Sequence, residues 1–293
     1  RKKLARNARA GWREQFERDG FILVKDALSD EDFRMLRQQV SDWEAPRREM
    51  QQGNTTTRRM AVSKDMMDAI GPLRSFLRRP DISAAMRYVA AFDSEPLHYV
   101  QAILRRGGNR PDPQTALHAD AFHSSMKSWL FLTDVEEDGG PFTYVPGSHK
   151  LTPERLEWEY RRSIAASGPD SDKLDKLSRR GSFRVDADDL ADLGYQQPRA
   201  IAVPANTLVI ADTYGFHARG LSKPEMFRLE IWSYLRRNPF LPWTGLDLWS
   251  LPSLAPRRVP HIWRIRDRYK RWLRQPWAPA GIGRMDEGAA TGD

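Results

Sequence analysis

The sequence predicts an α+β domain whose core is mainly β. Helical patterns dominate the first third of the chain, and short apolar or alternating segments divided by Gly, Pro or Asn follow. The second feature is typical of an antiparallel barrel or sandwich. With 293 residues, of which 40% are hydrophobic and ten are Trp, the chain is large enough to bury such a core.

Helical patterns account for most of the N-terminal part. They cover residues 11–19, 29 to about 43, 63–70 and 81–91. Gly20 ends the first of these helices. Ser29 caps the second, because Asp32 lies three positions further on. The polar residues 45–59 are expected to form a loop.

Strand patterns dominate after residue 97, and one comes earlier. They cover residues 21–24, 97–104, 127–135, 140–148, 199–204, 207–212 and 226–235. Residues 107–114, rich in Gly and Pro, predict a loop. The charged residues 150–198 are expected to form a largely helical insertion. A segment rich in Pro, Trp and Arg follows at 238–293.

The composition excludes several kinds of site. The chain has no Cys, so disulfides, zinc–thiolate sites, iron–sulfur clusters and thiol nucleophiles are ruled out. This fits a reducing compartment, and we expect a cytoplasmic location. Neither a membrane-spanning apolar run nor a signal-peptide core is present in the sequence.

The net charge of +8 is concentrated in two segments. Residues 1–10 carry +5 and residues 257–274 carry +7, which leaves −4 on the rest of the chain. Nucleic-acid-binding proteins more often carry positive charge on the central fold, so we expect no nucleic-acid partner. Residues 261–274 favour a helix packed on the barrel, with a solvated basic face. The alternative is weak peripheral association of that helix with a membrane. The oligomeric state is unknown from the sequence.

The segment ALHADAF (116–122) places His118 and Asp120 two positions apart. We predict a strand here, on which two such side chains point to the same face. A surface His–Asp pair is one interpretation, and a metal site is the other. Non-heme Fe(II) oxygenases hold their metal with two His and one carboxylate. His217, in DTYGFHARG, is the best-placed second His.

Arg228 follows His217 by eleven residues, inside the strand pattern MFRLEIW. A lone Arg among alternating apolar residues is costly to bury without an anionic partner. A ligand carboxylate would suit its guanidinium fork. A structural salt bridge is the alternative.

Several motifs together resemble the phytanoyl-CoA dioxygenase family, over roughly residues 12–237. They are FERDGFILVKDALSDEDFRMLRQQV (16–40), the HAD motif (118–120), SWLFLTDVEEDGGPFTYVPGSHK (128–150) and the His217–Arg228 spacing. The resemblance implies an Fe(II)- and 2-oxoglutarate-dependent dioxygenase that uses O2. It also implies a double-stranded β-helix, a jelly-roll or cupin-like barrel, with flanking N-terminal helices. We expect this dioxygenase domain at 1–237 and an extension at 238–293.

The resemblance also implies roles for individual residues. The residues that match the family's iron ligands are His118, Asp120 and His217. Arg228 would bind the distal carboxylate of 2-oxoglutarate. Gln101 and Trp129 match residues near the cosubstrate, although each could instead be part of the core. Arg219 departs from the pattern, because several members have a small Ser there.

The implied reaction is hydroxylation of an unactivated C–H bond in a small organic or acyl substrate, with release of succinate and CO2. Related halogenases have a small residue in place of Asp120, so its carboxylate favours hydroxylation over halogenation. Desaturation and ring formation stay open as other outcomes of the same chemistry. Two other classes stay open: a non-catalytic metal-binding barrel, and an adaptor that uses the basic segments. His123 is expected on the substrate side or at the surface, and His149 in a structural turn.

Overall fold

The computed structural model of the chain describes residues 1–105, 112–168, 178, 182–240, 251, 254–273 and 275–288. Its α-helices are α1 (Ala10–Asp19), α2 (Asp30–Ser41), α3 (Lys64–Ala69), α4 (Gly71–Leu77), α5 (Pro80–Ala90), α6 (Pro153–Ser167), α7 (Ala187–Asp192) and α8 (Ala255–Arg268). The cap predicted for the second helix is present, because the Ser29 side chain accepts a hydrogen bond from the Asp32 amide. No helix in these ranges is both long and apolar enough to cross a membrane.

The strands form two antiparallel sheets. They are β1 (Phe21–Val24), β2 (Ala45–Gln52), β3 (Thr55–Ala61), β4 (Leu97–Arg105), β5 (Ser125–Phe131), β6 (Phe142–Tyr144), β7 (Arg199–Ile201), β8 (Leu208–Asp212), β9 (His217–Arg219), β10 (Phe227–Arg236) and β11 (Ala278–Gly283). The large sheet has the order β1-β8-β5-β10-β4-β3-β2-β11, and the small sheet has the order β7-β6-β9. The predicted class is confirmed: an α+β domain with a mainly β core of the double-stranded β-helix type, although the described strands do not close into a barrel.

The two faces of the large sheet have different partners, because successive side chains on a strand point to opposite sides. In β8, Leu208 and Ile210 pack with the helices, whereas Val209 and Ala211 pack toward the small sheet. Trp129 of β5 lies 4.6 Å from Phe142 of the small sheet, measured between ring centroids. The space between the sheets therefore receives every second residue of the central strands.

The prediction of a loop at residues 45–59 is wrong. β2 and β3 form a hairpin in the large sheet, in which Arg48 pairs with Arg59. Both strands are rich in polar side chains, and several of these find their hydrogen-bond partners in a distant part of the chain. Arg58, for example, is buried and donates hydrogen bonds to the carbonyl oxygens of Met285 and Glu287. A local pattern of apolar residues could not show these contacts.

The prediction of a strand around ALHADAF (116–122) is also wrong, because the segment pairs at one residue only. His118 forms only isolated β-bridges, to Arg184 and to His217. Asp120 lies in a bend that follows. The segment is extended at one residue and then turns, so it places the two side chains together without forming a strand.

The C-terminal segment is more closely tied to the sheets than its composition suggests. The helix predicted at 261–274 spans Ala255–Arg268 instead, with Pro256 in its first turn. β11 then pairs with β2 at the edge of the large sheet. Of the loop predicted at 107–114, residues 107–111 lie outside the described residues, and Pro113–Thr115 form a short 3-10 turn. The 150–198 insertion contains α6 and α7.

Candidate metal centre and adjoining cavity

Two backbone hydrogen bonds bring the two histidines together. The amide of His118 donates to the carbonyl of His217, and the amide of His217 donates to the carbonyl of His118, both at 2.9 Å. The amide of Asp120 donates to the carbonyl of Thr213, also at 2.9 Å. As a result, one potential ligand atom from each of His118, Asp120 and His217 lies within 4.8 Å of the others.

Each imidazole ring is oriented by a carbonyl two residues before it. Nδ1 of His118 lies 2.8 Å from the carbonyl oxygen of Ala116, and Nδ1 of His217 lies 3.0 Å from that of Gly215. These contacts fix the proton on Nδ1 and leave Nε2 as the acceptor nitrogen. The two Nε2 atoms lie 3.8 and 3.7 Å from the Asp120 carboxylate oxygens. Metal-binding His residues in proteins are oriented in this way.

The electrostatic environment keeps the two imidazoles and the carboxyl group deprotonated at the atoms that would bind a metal. Burial lowers the pKa of His217 to about 4, and burial together with the nearby His217 lowers the pKa of His118 well below its ordinary value. Burial opposes ionisation of Asp120, but Lys127, His217 and His118 outweigh it and hold the pKa of that carboxyl well below its usual range. Neutral imidazoles beside an ionised carboxylate suit a divalent cation.

The residues therefore fit a divalent metal of the kind that N and O donors hold. Oδ2 of Asp120 is buried and accepts no well-aligned hydrogen bond from the described residues, although Lys127 Nζ lies 2.5 Å away. Sequence reasoning missed Lys127. The signal was present, because Lys127, Trp129 and Phe131 alternate along β5 and all line the adjoining cavity.

A cavity of about 210 Å³, here called the inner cavity, adjoins the three side chains. The three predicted cosubstrate residues, Gln101, Trp129 and Arg228, line it. Arg219, which departs from the family pattern, lines it too. The structure thus brings together the residues that the sequence singled out. His123 does not join the cluster, and its Nδ1 instead lies 3.0 Å from the Ser124 carbonyl oxygen.

Arg228 already has protein partners within the inner cavity. Its Nε donates to Oε2 of Glu230 at 2.9 Å, and its Nη1 donates to the carbonyl of Gly140. Glu230 is fully buried and also accepts from Gln101 at 2.5 Å. Nη2 of Arg228 makes no hydrogen bond with the described residues, so it is free for a ligand.

Arg219 is paired in a different way. It forms an ion pair with the buried Asp112, with Nη1 2.6 Å from Oδ2. Asp112 also accepts a hydrogen bond from the Gln114 amide at the start of the turn that leads to His118. The residue that departs from the family pattern therefore ties β9 to the segment that carries the first histidine.

Arg59 is a second residue that sequence reasoning missed, because it lies in the hairpin predicted as a loop. Its guanidinium carbon lies 3.8 Å from the ring centroid of Trp232 and 4.3 Å from that of Trp277. Its Nε donates to Gln101 at 2.6 Å. Burial lowers its pKa to about 10, which leaves the group charged at neutral pH.

Comparison with known proteins gives one family match and several distant structural likenesses. The model of the phytanoyl-CoA dioxygenase (PhyH) family matches residues 16–188. No curated protein matches the chain at a significant level of sequence similarity.

Three of the solved structures that resemble the chain show how low the similarity is. The epimerase SnoN in complex with Fe3+, alpha ketoglutarate and nogalamycin RO is 19% identical, with a TM-score of 0.47 over 84% of this chain and 93% of that chain. HygX from Streptomyces hygroscopicus, with nickel and 2-oxoglutarate bound, is 16% identical, with a TM-score of 0.48 over 82% and 91%. The carbocyclase SnoK from nogalamycin biosynthesis is 18% identical, with a TM-score of 0.44 over 78% and 84%.

Proposed function

Because the chain belongs to the phytanoyl-CoA dioxygenase family, we propose that it is an Fe(II)- and 2-oxoglutarate-dependent oxygenase that hydroxylates a small-molecule substrate. The observation that carries this proposal is the cluster of His118, Asp120 and His217, whose potential ligand atoms lie within 4.8 Å of one another beside a cavity. Two histidines and one carboxylate leave positions open on a bound iron, as such oxygenases require.

Bound Fe(II) would supply the activation of O2, with 2-oxoglutarate as the co-reductant. In the overall reaction, one oxygen atom enters succinate and the other enters the product. 2-Oxoglutarate, O2 and the C–H bond give succinate, CO2 and the C–OH group. The contribution of this chain is to keep both imidazoles neutral and Asp120 ionised, and to place the cosubstrate in the inner cavity.

The inner cavity offers a cationic end for the distal carboxylate of 2-oxoglutarate. We assign this carboxylate to the free Nη2 of Arg228, whose orientation is fixed by Glu230 and Gly140. Gln101 donates a hydrogen bond to the same Glu230 and so holds the Glu230 side chain in place. Trp129 would cover one side of the cosubstrate, because its ring lines the cavity against Phe142.

The first experiment measures iron content and succinate formation in parallel. The native chain should bind one Fe(II) and release succinate only when Fe(II), 2-oxoglutarate and O2 are all present. His217→Ala should lose both properties. His123→Ala is the matched control, because His123 lines a pocket together with Asp120 but does not belong to the cluster. Full iron occupancy in His217→Ala would show that the assignment of ligands is incorrect.

The second experiment separates the two arginines of the inner cavity. Arg228→Ala should raise the apparent 2-oxoglutarate constant by roughly tenfold or more, because a charge-assisted hydrogen bond contributes about 1.5–3 kcal/mol. Arg228→Lys should restore only part of the affinity, since it keeps the charge and loses the fork. If Arg219→Ala weakens 2-oxoglutarate binding and Arg228→Ala does not, Arg219 is the cosubstrate residue.

A non-catalytic metal-binding module is the alternative function. One observation favours it: Arg219 and Arg228 both have carboxylate partners within the protein, Asp112 and Glu230. Such pairing reduces the positive charge available to a dicarboxylate ligand. A chain that binds Fe(II) at the cluster, but neither binds nor consumes 2-oxoglutarate, would support this alternative.

A further inference from the structure

A second cavity, of about 440 Å³, adjoins the inner cavity and is here called the outer cavity. Four residues line both spaces, which shows where they meet: Arg59, Asp120, Lys127 and Trp232. The outer cavity therefore reaches the candidate metal ligand Asp120 from a direction that the cosubstrate residues Arg228 and Gln101 do not line.

Aromatic rings form much of the wall of the outer cavity. They belong to Tyr99, Trp232, Tyr234, Trp263 and Trp277. The rings of Trp232 and Tyr234 are stacked, with centroids 5.7 Å apart and planes 8° apart. The ring of Tyr99 lies 5.6 Å from that of Trp232 and 5.9 Å from that of Trp263. Such a wall suits a flat, unsaturated ligand.

The charge of the outer cavity is strongly positive. The cationic residues among its described lining are Arg59, Lys127, Arg236 and Arg266, and the anionic one is Asp120. Asp120 is already paired with Lys127 and belongs to the candidate metal centre. The excess positive charge favours an anionic ligand and disfavours a cationic one.

Arg59 is suited to receive that anion. Its Nε bond to Gln101 is its only side-chain hydrogen bond with the described residues. Arg219 and Arg228, in contrast, are both ion-paired. The indoles of Trp232 and Trp277 lie close to the guanidinium, at 3.8 and 4.3 Å from their centroids, and restrict its movement. A planar guanidinium held in this way is pre-organised for a carboxylate or phosphate.

We propose that the outer cavity binds a substrate that combines an aromatic or conjugated ring with an anionic group, and that Arg59 pairs with the anion. This inference rests on the proposed function, because it names the substrate class of the same site. The ring would lie against the aromatic wall next to Asp120. The anion could be a free carboxylate or a phosphate ester, since both match the guanidinium fork.

The test uses three probes of one ring system: 1-naphthoate, 1-naphthyl phosphate and the neutral 1-naphthamide. Binding to the full chain is measured by calorimetry under anaerobic conditions, with Mn(II) and saturating 2-oxoglutarate to fill the inner cavity. At least one anionic probe should bind roughly tenfold or more tightly than the amide. The order of the two anionic probes distinguishes a carboxylate from a phosphate ester.

Variants locate the binding site of the probes. Arg59→Gln should weaken the anionic probes by roughly tenfold and leave the amide unchanged. Arg266→Gln and Arg264→Gln form a matched pair, because both residues are exposed on α8 and only Arg266 lines the outer cavity. Arg266→Gln should weaken the anionic probes by about threefold, within the range of an exposed ion pair, and Arg264→Gln should have no effect. This pair decides the question if Arg59→Gln fails to fold.

Equal binding of 1-naphthoate, 1-naphthyl phosphate and 1-naphthamide, or no binding of any probe, would overturn the proposal. So would equal effects of Arg264→Gln and Arg266→Gln, which would indicate only the overall charge of α8. The same titrations on the metal-free chain show whether probe binding requires the metal. Succinate formation, measured as described above, tests the proposed function separately. Probe binding without succinate formation would contradict the proposed function alone, and succinate formation without selective probe binding would contradict the substrate class alone.

Discussion

Gly215 shows how closely the residues beneath the candidate metal centre are packed. Its carbonyl orients the imidazole of His217, so its position determines the direction of one ligand. A Cβ atom at Gly215 would lie 1.9 Å from Oη of Tyr144 and 2.5 Å from Cζ of the same ring. Tyr144 cannot easily yield, because it is fully buried and its hydroxyl donates to the carbonyl of Asp212.

We expect Gly215→Ala to weaken metal binding by roughly tenfold or more, the usual effect of disturbing a group that orients a ligand. The measurement is anaerobic Fe(II) titration, with circular dichroism to follow the fold. Gly11→Ala is a suitable control, because a Cβ there meets no atom within 4 Å. Unchanged Fe(II) affinity in Gly215→Ala would mean that the Gly215 carbonyl does not control His217.

His149 is buried without a hydrogen bond to its Nδ1 from the described residues. Its ring packs against Phe16, with centroids 4.9 Å apart. Burial, with the positive charges of Arg1 and Lys150, lowers the pKa of His149 to about 3. The expected structural turn histidine is therefore one that the fold keeps neutral.

This depressed pKa predicts a stability that falls in acid. Between about pH 6.5 and 3 the unfolded state binds a proton at His149 that the folded state does not. The contribution of His149 to stability is therefore full above pH 6.5 and declines as the pH falls. From pH 8 to pH 5 the contribution is up to about 2 kcal/mol. Urea unfolding at both pH values should show a smaller decline in His149→Leu than in the native chain. Equal declines would contradict this prediction.

At the level of single residues, the sequence predicted the groups whose chemistry is distinctive. His118, Asp120, His217 and Arg228 were singled out by residue type and spacing, and the structure brings them to one cavity. Lys127 and Arg59 were not predicted. Lys127 could have been found from its alternation with Trp129 along β5, and both line the inner cavity. Arg59 reaches the same cavity through the pairing of β3 with β4, which the pattern of one segment does not show.

Helix α6 carries the fully buried Arg155, which stabilises the turn that precedes His217. Arg155 pairs with Glu159 at 2.9 Å and donates to the carbonyl oxygens of Ser148 and Tyr214. The hydroxyl of Ser148 in turn accepts from the amide of Phe216, the residue before His217. One helix therefore fixes the turn that leads into β9.

We expect Arg155→Met to lower the free energy of unfolding by about 3 kcal/mol, because it leaves Glu159 and two carbonyl groups without their partner. Urea unfolding measures this. Arg161→Met is the control, since Arg161 lies on the same helix with 69% of its side chain exposed and pairs with the exposed Glu157. A loss in Arg161→Met as large as that in Arg155→Met would contradict the role of burial.

Elements were predictable where burial is local. The apolar strand β1 begins and ends where its pattern predicts, and α2 begins at its predicted cap. The hairpin β2–β3 was not predictable, because many of its buried residues are polar, three of them arginines. Arg47, Arg48 and Arg58 find their partners more than 200 positions further along the chain. The sequence shows that these strands are polar, but it does not show which segment supplies the hydrogen-bond partners of their arginines.

For the molecule as a whole, β11 completes the large sheet and its following turn satisfies buried arginines. Removing residues 275–293 would expose the edge of β2 and remove the carbonyl partners of Arg47 and Arg58. We expect a lower unfolding free energy and concentration-dependent association through the exposed edge, measured by urea unfolding and sedimentation. Removing only residues 289–293 is the control, because these contacts do not involve them. A stable monomer after the longer deletion would refute the prediction.

The pairing of β11 with β2 also sets an order of events during synthesis. Residues 45–52 leave the ribosome long before residues 278–283, so the hairpin must wait for most of the chain before its edge is covered. Trp277, which flanks Arg59, arrives at the same late moment. Contacts this distant in sequence form slowly. A nascent chain that already holds His118, Asp120 and His217 could therefore acquire its metal before Trp263 and Trp277 complete the aromatic wall of the outer cavity.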